Sequence, residues 1–204
     1  MSLARLLRST LALSALLAAL ACPAAPVDEA RAALGTGIEE VSAALRERPK
    51  QDDLIVQLDT LVEKHFAFTT TTRLAVGPAW RDFSPEQRTK IEHLFSKLVI
   101  RTYADRIAGD AAPNITYGAP TELKAGRVEV PTVIRIANNT YSIVYRLELD
   151  SGTSPARWRV YDVVAEGVSL IANYRGQFEP ILRKSGAEGL LETLTAKVAE
   201  PSAR

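Results

Sequence analysis

The chain has 204 residues, 47% hydrophobic and 24% charged, with 25 Lys and Arg against 24 Asp and Glu. One domain of ordinary size accounts for this length and buries enough surface to fold without staples. Both charge signs are scattered with no basic stripe, which excludes a nucleic-acid-binding surface, and the single cysteine, Cys22, excludes an internal disulfide.

At the N-terminus, Arg5 and Arg8 precede an apolar run over residues 11–21 that only Ser14 interrupts, and polar sequence with Asp28, Glu29 and Arg31 follows. This is the pattern of a secretory signal peptide, because the run is shorter than the roughly 20 residues that span a bilayer and ends in the small-x-small triplet Ala19-Leu20-Ala21. Residues 1–21 are therefore expected to be removed, leaving 22–204 as one exported domain of formal charge about −1 once Arg5 and Arg8 are gone. Cys22 then stands first, where a lipid anchor is attached in lipoproteins. Ala19 occupies the place where such signals carry leucine, so export without an anchor is the expectation.

Leu34, Ile38, Val41 and Leu45 recur at helical spacing and predict a helix over 28–47, weakened by Gly35 and Gly37 and ended by Pro49. Leu54, Leu58, Leu61, Val62 and His65 form one face of a second helix, and the run Thr69 to Thr72 opens a short third piece that stops near Gly77-Pro78. Ser84, Pro85 and Gln87 carry the signature of a capped start to a fourth helix, with Ile91, Leu94, Phe95, Leu98, Thr102 and Tyr103 as its inner stripe.

After Gly109 the period changes to two, which predicts antiparallel strands. Val128, Val130, Thr132, Ile134 and Ile136 alternate with Arg127, Glu129 and Arg135, and Tyr141, Ile143, Tyr145, Leu147 and Leu149 with Ser142, Arg146 and Glu148; Asn138-Asn139 suits a tight turn with positive φ. A further strand is predicted over 157–165. Ser169 caps a helix with Ile171, Tyr174, Phe178, Ile181 and Leu182, and Gly186 separates it from a last helix with Leu190, Leu191, Leu194 and Val198. The order predicts an α+β domain: N-terminal helices, a curved antiparallel sheet of about four strands and two C-terminal helices, enclosing an apolar cavity.

Chemistry-bearing motifs are sparse. His65 and His93 lack ligand spacing to each other or to Cys22, so no metal site is expected, and His65 is read as structural. Gly167-Val168-Ser169 lacks the second glycine of a nucleophile elbow, because Ile171 stands there. Strand alternation places Asp162 on one face with Trp158 and Val160, where an unpaired charge is costly. The expected partner is Arg175, in an ion pair tying helix to sheet; the competing reading makes Asp162 the base of a small cavity enzyme of the isomerase or hydratase kind, with a tyrosine as oxyanion donor.

The segments WRVYDVVAEGVSLIANYRGQFEPILRKSGAEGLLETL (158–194) and AVGPAWRDFSPEQRTKIEHLFSKLVIRTYADRI (75–107) resemble the MlaC family, also called toluene-tolerance auxiliary proteins. The resemblance extends over essentially the whole exported chain. It implies a periplasmic carrier, without catalysis or cofactor, that takes phospholipid between an outer-membrane lipoprotein complex and the ring-forming subunit of an inner-membrane ABC transporter, maintaining outer-membrane lipid asymmetry. A branch associated with hopanoid synthesis makes another amphipathic lipid the alternative ligand. The lining expected for such a pocket is Val130, Ile134, Ile143, Tyr145 and Leu147 from the sheet with Leu74, Leu94, Leu98, Tyr103, Tyr174 and Phe178 from the helices, the headgroup staying outside. Tyr103 or Tyr145 is expected to present a hydroxyl at the mouth.

Overall fold

The computed structural model describes residues 25–47, 51–107 and 113–200. The predicted signal peptide, Cys22 and the helix-ending Pro49 lie outside the described residues. Four helices lead: α1 (Pro26–Arg46), α2 (Gln51–His65), α3 (Phe68–Val76) and, after a 3-10 turn at Gly77–Asp82, α4 (Pro85–Ile107). Six strands follow, β1 (Asn114–Tyr117), β2 (Thr121–Lys124), β3 (Arg127–Ile136), β4 (Asn139–Asp150), β5 (Arg157–Ala165) and β6 (Val168–Ser169), and then α5 (Leu170–Ala199). Among the described residues no helix is long and apolar enough to cross a membrane.

Local chemistry sets the helix starts. Pro26 stands in the first turn of α1, with Asp28 and Glu29 beside the positive end of the helix dipole. At α4 the capping box forms: Ser84 N–H donates to Gln87 Oε1 at 2.9 Å, and Gln87 N–H donates to Ser84 Oγ at 3.2 Å. Ser169 caps α5 by accepting from Ala172 N–H at 3.1 Å. Gly186, with φ 59° and ψ −153°, breaks α5 into the two expected C-terminal helices.

The sheet is antiparallel in the order β1-β3-β4-β5-β6, with β2 also pairing to β3. It has six strands where about four are expected, because β1, β2 and β6 are too short to show alternation. The β3–β4 hairpin pairs without slippage from Arg127↔Glu148 to Ile136↔Asn139, so the loop residues are Ala137 and Asn138. Positive φ falls on Ala137, at 50°, one place before the expected asparagines. The apolar rows on both strands fix the register, and register decides which residues turn.

Two main clusters make the core. Phe68, Phe95, Tyr174 and Phe178 centre the helical one, with Phe95 edge-on to Tyr174 and Phe178 at centroid distances of 4.7 and 5.2 Å. The second joins Ala30 and Leu34 of α1 to Val128, Val130, Leu147, Trp158 and Val160 of the sheet. Farther along α1, Val41 and Leu45 pack with Leu58 of α2 and Ile100 of α4, so this one helix bridges the sheet and the helical layer.

Candidate functional site

Alternation and register place Tyr117, Val128, Val130, Thr132, Ile134, Ile143, Tyr145, Leu147 and Val163 on one sheet face. α1 covers the end of this face that holds Val128, Val130, Leu147, Trp158 and Val160. The opposite end runs to Ile134, Ile143 and the exposed Tyr141 and Val168, outside that packed cluster.

The other face is charged. Arg127 pairs with Glu148 at 2.9 Å, and Arg146 bridges Glu129 at 3.0 Å and Asp162 at 3.2 Å. The hydrogen bond from Arg146 to Glu129, and then the nearby Asp162 carboxylate, raise the Arg146 pKa. Arg127 also stacks over the Tyr161 ring at 4.4 Å.

Asp162 departs from both of its sequence expectations, the face it occupies and the partner it meets. The β4–β5 register shifts between Arg146 and Leu147, so that Leu147 faces Val160 while Arg146 faces Asp162. This bulge inserts Tyr161 and turns Asp162 away from the face of Trp158 and Val160. Its ion-pair partner is consequently Arg146; Arg175 instead donates from Nε and Nη2 to the Leu74 carbonyl. Asp162 is buried and fully engaged, accepting from Ile171 N–H at 3.1 Å, Ser169 Oγ at 2.8 Å and Arg146 Nη1. It still ties helix to sheet, through the first turn of α5.

The eleven expected lining residues fall into separate groups. Tyr174 and Phe178 are interior members of the helical cluster, with Leu94, Leu98 and Tyr103 packed against it. Val130 and Leu147 belong to the cluster under α1, and Tyr145 packs against that cluster. Leu74 lies apart with Ala67, Tyr161 and Ile171. Ile134 and Ile143 are on the same sheet face as Tyr145 but beyond the cluster. Burial pushes the Tyr145 hydroxyl up to about 12, and it has no hydrogen-bond partner among the described residues.

Tyr117 carries no periodic signal in the sequence, because β1 is only four residues long. Its ring reaches the α1 cluster, and Arg31 of α1 stacks over it at 5.8 Å. Asp28, Arg31, Ala32, Gly35 and Tyr117 line a concavity of about 380 Å³; a second, of about 360 Å³, lies at the loop of Thr153, Ser154, Pro155 and Arg157. His65, read as structural, pairs with Glu40 at 2.7 Å and lies against Gly37, joining α2 to α1. No group of three or more potential metal ligands occurs among the described residues.

The family model described as MlaC protein matches residues 36–196. The intermembrane phospholipid transport system binding protein MlaC of Haemophilus influenzae is 24% identical over 169 residues, spanning 82% of this chain and 78% of that one. The fold is similar to that of a phospholipid-binding protein from Ralstonia solanacearum solved in complex with a phospholipid. The TM-score is 0.72 and the identity 27%, with 84% of this chain and 97% of that chain covered.

Proposed function

Since the chain belongs to the MlaC family, we propose that it binds phospholipid in the periplasm and carries it between an outer-membrane lipoprotein complex and the ring-forming subunit of an inner-membrane ABC transporter. The exchange maintains the lipid asymmetry of the outer membrane. The chemistry of such a task demands a protein sheath: each methylene brought into water costs about 0.8 kcal/mol, so a chain of roughly 16 carbons costs on the order of 12 kcal/mol.

The observation that carries this reading is the one-sided apolar sheet face, half covered by α1 and continuing past it through Tyr145, Ile143 and Ile134. Acyl chains occupy that continuation, and Val163 of β5 joins the lining. Residues such as Phe95 and Phe178 act as scaffold in this assignment, because they pack among other rings of the helical cluster. The phospholipid in the Ralstonia solanacearum structure and the name of the Haemophilus influenzae relative support the ligand class.

The competing role of Asp162 as a catalytic base has a physical argument against it. Both carboxylate oxygens already accept hydrogen bonds, and the group lies on the charged face of the sheet. The carrier reading is tested by placing labelled donor and unlabelled acceptor vesicles on either side of a barrier that passes protein but not vesicles. Label reaching the acceptor only when the chain is present supports the function; equal transfer without it contradicts the function.

A further inference from the structure

The concavity at the α1–β1 edge adjoins the apolar face directly. Tyr117 lines it on one side and packs on the other against the sheet cluster that Tyr145 also touches. Tyr117 pairs with Thr132 and Tyr145 with Val130, so the two rings are diagonal neighbours across β3. Neither hydroxyl has a hydrogen-bond partner among the described residues. A polar recess therefore opens at the end of a row of side chains proposed to hold acyl chains.

The charges around this recess are specific. Arg31 is exposed and stacks over Tyr117, and it forms no ion pair among the described residues. Asp28, three residues earlier on the same helix, lines the recess beside it without a salt bridge to Arg31. Side chains at i and i+3 of a helix stand about 5–6 Å apart at Cβ, so a cationic and an anionic group are presented side by side. Glu39 adds a second carboxylate near Tyr117 and raises the tyrosine pKa after the larger effect of burial. Gly35 lies on the floor, where a Cβ would stand 3.8 Å from the Tyr117 hydroxyl, an ordinary contact distance.

We infer that this recess holds the head of a zwitterionic phospholipid, with Arg31 and the Tyr117 hydroxyl receiving the phosphate and Asp28 receiving the amine. The inference rests on the carrier reading above and adds to it a preference between headgroups. A phosphate joined to an ammonium by a two-carbon linker matches a neighbouring cation and anion. A net-negative head still meets Arg31 through its phosphate but brings no ammonium to Asp28 and Glu39.

The test uses the exported chain, incubated with vesicles containing equal phosphatidylethanolamine, phosphatidylglycerol and diacylglycerol, and reads the bound lipids by native mass. The unaltered chain is expected to favour phosphatidylethanolamine. Arg31→Gln lowers both phospholipids relative to diacylglycerol by about threefold to fivefold, the effect of one exposed charge contact. Asp28→Asn shifts the balance toward phosphatidylglycerol by a similar factor. Both side chains are exposed, so both variants should fold, which circular dichroism checks. Lipid ratios unchanged in both variants overturn the inference while leaving the carrier intact. Displacement of lipid by millimolar inorganic phosphate overturns it in favour of a free-phosphate site. No lipid of any kind on the unaltered chain overturns the carrier reading, and this inference with it.

Discussion

Arg146 and Asp162 face each other across β4 and β5, with guanidinium Nη1 3.2 Å from carboxylate Oδ2. The same carboxylate accepts from the Ile171 backbone N–H and from the capping residue Ser169, so one buried group fixes the start of α5 against the sheet. Removing one partner of a buried, hydrogen-bonded charge leaves the others unsatisfied, at a cost of several kcal/mol.

Asp162→Ala is therefore expected to lower unfolding free energy by about 3–5 kcal/mol in urea titrations. Arg175→Ala should cost about 1 kcal/mol, because its guanidinium is exposed and serves one carbonyl. Equal costs for the two would contradict the assignment of Arg146 as the partner.

The glycines of α1 give a paired prediction. A Cβ at Gly37 would stand 3.1 Å from the His65 ring, whereas one at Gly35 has nothing closer than 3.8 Å. Alanine is favoured over glycine within a helix by about 0.8–1 kcal/mol. Gly35→Ala should realise most of that gain in stability, and Gly37→Ala should forfeit it to the His65 contact. Thermal unfolding of both single variants checks the difference.

Acid should loosen the junction of α1 with α2. The hydrogen bonds that Glu40 accepts from His65 and then Lys64 hold its pKa below the usual carboxylate value. A folded pKa below the unfolded one means that the stabilisation is present above about pH 4.5 and is lost as pH falls through the folded value. Glu40→Gln is expected to flatten the stability profile in that acid range and leave its alkaline side unchanged. A profile identical to the unaltered chain would remove the junction from the acid response.

Scaffold and lining should separate under substitution. Phe95, fully buried among aromatic rings, is expected to cost about 3–5 kcal/mol as Phe95→Ala. Ile143→Asn, on the half-buried part of the apolar face, should change stability by about 1 kcal/mol but reduce retained lipid several-fold. Unfolding curves and lipid extraction on the same samples distinguish the two effects.

Sequence pattern revealed much of this architecture where local chemistry was strong. The Ser84 and Gln87 box, the Ser169 cap and the Gly186 break are all readable from residue type and spacing, as are the alternation of β3 and β4 and the span of β5. What escaped was non-local. The bulge at Tyr161 is set by pairing with β4, and one inserted residue moved Asp162 to the other face and exchanged Arg175 for Arg146. Ala137 takes positive φ because the hairpin register puts it in the turn. Lining and filler are equally apolar in sequence, so Phe178 and Ile143 looked alike until packing placed one inside a ring cluster and the other beyond the reach of α1.

Native mass spectrometry of residues 22–204, purified without detergent from cells and followed by extraction and identification of any bound lipid, puts the carrier reading to its sharpest test. A mass above that of the polypeptide by one phospholipid is expected, with Ile143→Asn shifting the population toward the bare chain. A bare polypeptide mass in the unaltered protein, together with no uptake from phospholipid vesicles, would contradict it.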